Sequence, residues 1–146
     1  MNNNQINLNP NDKSYLTKIL DKDPNNYDAV LKLGLIDVTE KKFLYAKEKF
    51  KKLIKIDSKR YEGYLNLSNI YSLKGNVIKA NDILTSYLEN IKENIEIINA
   101  LAINFYNSKK YSDLEDHLNK FIKNHESHLL NFLKGYLLFK DEKISE

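Results

Sequence analysis

Apolar side chains recur along most of this chain at helical spacing, and short polar breaks interrupt them. In residues 64–80, YLNLSNIYSLKGNVIKA, the apolar positions lie three and four apart, stop at Gly75 and then resume. Residues at this spacing share one face of an α-helix. Four glycines and two prolines are too few for a β fold with many turns. The pattern therefore predicts an all-α protein.

The apolar pattern also gives the approximate limits of each helix. After a lead-in to about residue 12, it predicts one single helix, three pairs of helices and one last helix. The predicted ranges are 13–22; 27–39 and 43–56; 61–73 and 77–91; 95–107 and 111–124; and 129–139.

A 34-residue internal repeat organises these pairs into units 27–60, 61–94 and 95–128. The eighth position of each unit is small, which allows two antiparallel helix backbones to approach closely. A helix hairpin cannot bury both its apolar faces alone, so neighbouring units should stack. The residues at positions seven, eight, twenty and twenty-four are Leu33, Gly34, Ala46 and Phe50; Leu67, Ser68, Ala80 and Leu84; and Leu101, Ala102, Leu114 and Leu118.

This arrangement resembles the tetratricopeptide repeat (TPR) family. The resemblance is carried by LKLGLIDVTEKKFLYAKEKF, YLNLSNIYSLKGNVIKANDIL and INALAINFYNSKKYSDLEDHL, and it covers almost the whole chain. It implies a right-handed superhelical array of antiparallel helix hairpins forming a single domain over 1–146. Residues 1–26 would be a lead-in and half-repeat helix, and 129–146 an incomplete fourth repeat. Leu114 occupies a position where the family usually has a small residue, so we expect that hairpin to be splayed or re-packed.

The resemblance implies that the first helix of each pair lines an inner, concave surface. Asparagine side chains both donate and accept hydrogen bonds, so they can pair with the backbone of an extended peptide. Apolar residues between them would bind its side chains, although solvated helix surface is the alternative in an Asn-rich chain. The predicted groove comprises Leu31, Lys32, Leu35, Leu65, Asn66, Asn69, Asn99, Ile103, Tyr106 and Asn107. The basic residues with which some relatives bind carboxylate tails are missing here.

Charge and candidate chemistry add little to this interpretation. The net charge is +3, yet residues 41–60 carry nine basic residues against Glu48 and Asp57. This stretch is mostly a second helix, which the resemblance places on the outer face, so we expect a solvated surface. Docking on an acidic partner, RNA or anionic lipid is the alternative. The histidines near the end of the third unit are expected on the surface rather than at a metal site. Asp37 occupies a position where the family usually has tyrosine, so it is the best candidate for a buried acid; the alternative is a hydrogen-bonded or solvated side chain at the edge of the concave wall. No cysteine, catalytic set or cofactor motif is recognisable, so we predict neither an enzyme nor a cofactor.

The last predicted helix is apolar almost all round, and such a helix needs cover on two sides. Either the natural chain continues beyond it or another copy covers it. The sequence thus predicts a protein-interaction scaffold with a protein or peptide partner. The alternatives are an N-terminal repeat region of a longer enzyme, such as a glycosyl- or sulfotransferase, and a self-association module. The absence of a membrane span or signal peptide makes cytoplasm the expected location. The self-association or continuation surface would be Phe132, Leu133, Tyr136, Leu137 and Phe139.

Overall fold

The structure, a computed structural model, describes residues 12–144, with side chains through residue 141. Within this part of the chain all regular structure is α-helical. The predicted lead-in before Asp12 lies outside the described residues. The helices are α1 (Lys13–Lys22), α2 (Tyr27–Thr39), α3 (Phe43–Ile56), α4 (Glu62–Leu73), α5 (Val77–Asn90), α6 (Ile95–Asn107), α7 (Tyr111–Phe121) and α8 (His128–Ile144).

Short polar side chains begin several of these helices. Asn26, Asn76 and Asn94 each accept a hydrogen bond from the backbone N–H three residues further on, at 3.0–3.1 Å. Asp12 does the same two residues on, at 2.8 Å. Such N-caps satisfy amide groups that have no partner within the helix. Part of the asparagine content of this chain therefore has a structural role.

The turn inside each hairpin has the same geometry in all three units. The fifteenth position of the units holds Lys41, Gly75 and Lys109, with φ of 58°, 78° and 58°. The amide of this residue donates to the carbonyl three residues back. The next amide donates to the carbonyl five residues back, at 2.7–2.9 Å. This is the Schellman arrangement that ends many helices, and it requires a left-handed residue.

The chain divides into two compact units, 1–67 and 68–146. In the first, α2 packs between α1 and α3. A methyl group added to Gly34 would lie 2.6 Å from Cε1 of Phe50, so the glycine is what allows α2 and α3 to approach. The prediction of a single domain is untested and stays a prediction.

The second unit has its own core. Helix α6 packs against α5 and α7, and α8 packs against α6 and α7. Leu114, at the position where a splayed or re-packed hairpin is expected, is fully buried beside Ala102 in this core. The core cluster comprises Ile98, Ala102, Leu114, Leu118, Phe121, Leu130 and Leu133.

Candidate interaction surface

The first helix of each pair keeps one face open while its neighbouring positions are buried. At the ninth position of the three 34-residue repeats, Leu35 is 42% exposed, Asn69 is exposed and Ile103 is 40% exposed. The seventh and eighth positions are buried in every repeat. In two of the three repeats this position therefore leaves a large apolar side chain accessible for contact with a partner.

In the first compact unit, which ends at Leu67, the predicted groove residues differ in how accessible they are to a partner. Lys32 is exposed, whereas Leu31 and Leu65 are half-buried. The Nδ2 group of Asn66 donates to the carbonyl of Glu62 at 2.8 Å, one helical turn back. Asn66 therefore uses one of its donors within its own helix, and Leu35 and Lys32 are the more accessible candidates.

In the second compact unit, which begins at Ser68, Asn69 and Asn107 are exposed, but Asn99 has a structural role. The hydroxyl of Ser127 donates to Oδ1 of Asn99 at 2.9 Å, and the amide of Leu130 donates to the Ser127 oxygen at 3.3 Å. Asn99 thus fixes the serine that precedes α8.

The ring of Tyr106, another predicted groove residue in the second unit, is half-buried. It packs edge-on against Tyr136, with 5.1 Å between centroids. This contact joins α6 to α8, so Tyr106 also contributes to packing inside its unit.

Sequence reasoning missed a cluster around Arg60, the only arginine of the chain. Its guanidinium lies 3.7 Å from the centroid of the Tyr27 ring and forms ion pairs with Glu62 at 2.7 Å and Asp28 at 3.3 Å. The hydroxyl of Tyr27 donates to Glu62 at 3.4 Å, and burial raises the pKa of that hydroxyl. The available sequence signal was the acidic residue at the second position of the first two repeats, Asp28 and Glu62. Both carboxylates pair with Arg60.

A second missed feature is a chain of amides in the second unit. The hydroxyl of Ser72 donates to Oδ1 of Asn104 at 3.2 Å, and Nδ2 of Asn104 donates to Oδ1 of Asn81 at 2.9 Å. This chain joins α4, α6 and α5 through polar contacts that buried amides require. An asparagine on the mainly apolar α6 was its only sequence signal.

Asp37 is buried, as predicted, at 3% exposure. Lys49 and Lys13 form ion pairs with it, at 2.5 Å and 3.5 Å. The other two repeats have Tyr71 and Phe105 at this position. The charge of Asp37 is compensated by two ammonium groups, which accounts for its burial without a catalytic role.

The expectation that His117 lies on the surface is wrong. This side chain is buried, and its Nε2 lies 2.8 Å from the carbonyl of Ile98, so Nε2 carries the donated proton. Burial lowers the pKa of His117. Among the described residues, no group of three or more histidine or acidic side chains is arranged to hold a metal ion.

The predicted surface on α8 is only partly exposed. Phe132 and Phe139 are exposed, together with Leu138, which was not predicted. Tyr136 and Leu137 are half-buried. Leu133 is 2% exposed and belongs to the core, so it contributes no contact area to a partner. None of the helices in residues 12–144 is both long enough and apolar enough to cross a membrane.

Comparison with solved structures identifies the fold. A tetratricopeptide repeat protein from Parabacteroides merdae matches with a TM-score of 0.68 at 15% identity, over 89% of this chain and 51% of its own length. YrrB, described as a TPR protein with an unusual peptide-binding site, matches with a TM-score of 0.67 at 15% identity, over 92% of this chain and 72% of its own. MamA matches with 0.67 at 19% identity, over 91% and 81%.

These similarities confirm the predicted TPR fold, an all-α array of antiparallel helix hairpins. No family model and no curated protein matches the sequence. The chain spans about half the length of the Parabacteroides protein, so the function of any longer relative does not transfer directly.

Proposed function

We propose that this chain is a non-catalytic scaffold that binds an extended segment of a partner protein along the inner faces of α2, α4 and α6. The observation that supports this most is the exposed ninth position, where Leu35, Asn69 and Ile103 lie beside buried neighbours. The TPR fold and the peptide-binding site ascribed to YrrB are consistent with it. The proposal leaves the identity of the partner open.

The contacts in each unit indicate which predicted residues should bind the partner. Asn69 and Asn107 have exposed amides that can pair with a peptide backbone. Leu35 and Ile103 provide the apolar contacts. Asn66 and Asn99 are poorer choices for mutation, because each already forms a hydrogen bond within the protein and a change at Asn99 would disturb Ser127.

The test is affinity capture from a lysate of the source organism, with the wild-type chain and a ninth-position variant as baits. The variant combines Leu35→Ala, Asn69→Ala and Ile103→Ala. We expect a protein to be captured by the wild type and lost from this variant, whose helicity by circular dichroism should be unchanged. The matched control combines Phe132→Ala with Leu138→Ala, which removes a similar exposed apolar area from α8.

A partner that binds the ninth-position variant as well as it binds the wild type would overturn the proposal. Loss from the control variant instead would favour the second candidate function, in which α8 is the interaction surface. The exposure of Phe132, Leu138 and Phe139 on one helix supports that candidate. The interpretation as part of a longer enzyme stays a prediction, which the reading frame beyond residue 146 would test.

A further inference from the structure

The outward faces of α3 and α5 differ in net charge at equivalent repeat positions, since the positions are basic on balance on α3 and acidic on α5. On α3 these positions hold Leu44, Glu48, Lys51 and Lys55, and on α5 they hold Ile78, Asp82, Thr85 and Glu89. Spacings of four, three and four residues place each set along one stripe of its helix. The first residue of both stripes is a strongly exposed large apolar side chain, Leu44 at 73% and Ile78 at 71%.

The stripe on α3 is basic with an apolar anchor. Leu44 is followed by Lys51 and Lys55 two and three turns further on, and Lys47 lies beside them. Lys51 pairs with Glu48 at 3.1 Å, an exposed contact that contributes little to stability. Lys47 and Lys55 form no ion pair within residues 12–141. This surface therefore presents unneutralised positive charge next to Leu44.

The stripe on α5 forms one wall of an acidic groove in the second unit. The groove has a volume of about 450 Å³, α7 provides the opposite wall, and α6 lies beneath. Asp82 and Glu89 line it from α5, and Asp113 and Asp116 from α7. The apolar side chains of the groove are Ile78, Leu88, Leu101, Phe105 and Phe121.

The groove carries uncompensated negative charge. Lys110 pairs with Asp113 at 3.8 Å, and Lys120 also lines the groove. Within residues 12–141, Asp82, Glu89 and Asp116 form no ion pair. An apolar floor between free carboxylates suits a segment that combines a large apolar side chain with lysines or arginines.

We propose that the occupant of this groove is α3 of a second copy of the chain. Leu44 would pack on the apolar floor while Lys51 and Lys55 approach Asp82, Glu89 and Asp116. Residues 41–60 hold nine of the 23 basic residues of the chain, so no stretch of similar length is as basic. Because the two surfaces are different parts of the chain, each copy can bind one neighbour through each, which is a head-to-tail interface.

The experiment is sedimentation velocity of the full chain from about 10 µM to about 500 µM. It is run at low and high salt, about 0.05 M and about 0.5 M. The groove variant is Asp82→Lys with Glu89→Lys. The stripe variant is Lys51→Glu with Lys55→Glu. All four side chains lie at the surface of their helices, and circular dichroism checks that both variants fold.

We expect the wild type to self-associate at low salt and to dissociate at high salt. Each variant alone should associate at least about tenfold more weakly, because like charges then face each other. An equimolar mixture of the two variants should regain association, since the groove variant keeps its basic stripe and the stripe variant keeps its acidic groove. A chain carrying all four substitutions should regain self-association through exchanged charges.

Three results would overturn the proposal. The first is a wild type that stays monomeric at the highest concentration and low salt. The second is self-association that both variants retain but that Phe132→Glu with Phe139→Glu abolishes, which would place the interface on α8. The third is a monomeric wild type whose groove binds a basic segment of another protein, detected as a partner lost from the groove variant.

Discussion

The left-handed turn residue allows the sharpest test of the fold. The same turn contains glycine in one repeat, Gly75, and lysine in the other two, Lys41 and Lys109. The hydrogen bonds around the three turns are alike, so the side chain is the main difference between them. We therefore predict that Lys41→Gly and Lys109→Gly stabilise the protein and that Gly75→Ala destabilises it.

The magnitude follows from two opposing contributions. A residue other than glycine at positive φ costs about 1–2 kcal/mol, because its Cβ lies close to the following carbonyl oxygen. Introducing glycine costs about 0.4–1 kcal/mol through the greater entropy of the unfolded chain. Each lysine-to-glycine change should therefore raise the free energy of unfolding by about 0–1.6 kcal/mol. A Cβ at Gly75 would meet no atom within 4 Å, so Gly75→Ala introduces backbone strain without a steric clash. The lower entropy of the unfolded chain offsets part of that strain, so the net loss should be about 0–1.6 kcal/mol.

The assay is urea unfolding followed by circular dichroism, with the slope of the transition checked for constancy. The control variants are Lys42→Gly and Lys110→Gly, which lie one residue later with φ of −84° and −83°. These residues have no left-handed strain to relieve, so glycine should stabilise less there than at Lys41 and Lys109. If glycine stabilised both positions alike, or destabilised at Lys41 and Lys109, the reasoning from backbone geometry would be refuted.

Two further predictions concern packing and pH. Gly34→Ala should destabilise by about 1–2 kcal/mol, since its methyl group would overlap the buried ring of Phe50, and Phe50→Leu in the same chain should recover part of the loss in urea unfolding. Ser68→Ala, at the equivalent position, removes a buried hydroxyl that has no hydrogen-bond partner among the described residues, so it should not destabilise. Because burial lowers the pKa of His117, the unfolded chain binds the proton more readily than the folded chain does. The contribution of His117 to stability is therefore complete above the ordinary pKa of 6.5 and decreases as the pH falls below it. Between about pH 7 and about pH 5, the midpoint of thermal unfolding should fall less in His117→Gln than in the wild type, and an equal fall would contradict this.

The sequence alone determined the helices and their pairing. Predicted and observed limits coincide for α2, α3 and α6, where the 34-residue repeat superimposes three copies of one pattern, and also for α1, which lies before the first repeat. The resemblance to the TPR family also made Asp37 the best candidate for a buried acid, because the family usually has tyrosine at that position, and the side chain is buried. Helix α7 ends three residues before its predicted limit, and α8 continues beyond Phe139, because end positions depend on weak local preferences.

Only the tertiary structure decided what individual polar side chains do. Asn66 and Asn69 look equivalent in sequence, yet Asn66 bonds to its own helix while Asn69 is exposed. Asn99 and His117 are each fixed by groups 28 and 19 residues away, Ser127 and the Ile98 carbonyl. Periodicity reports which face of a helix a residue occupies. The hydrogen-bond partner of a polar side chain depends on which other helix packs opposite it. That helix can lie tens of residues away along the chain, so the local sequence carries no signal of the contact.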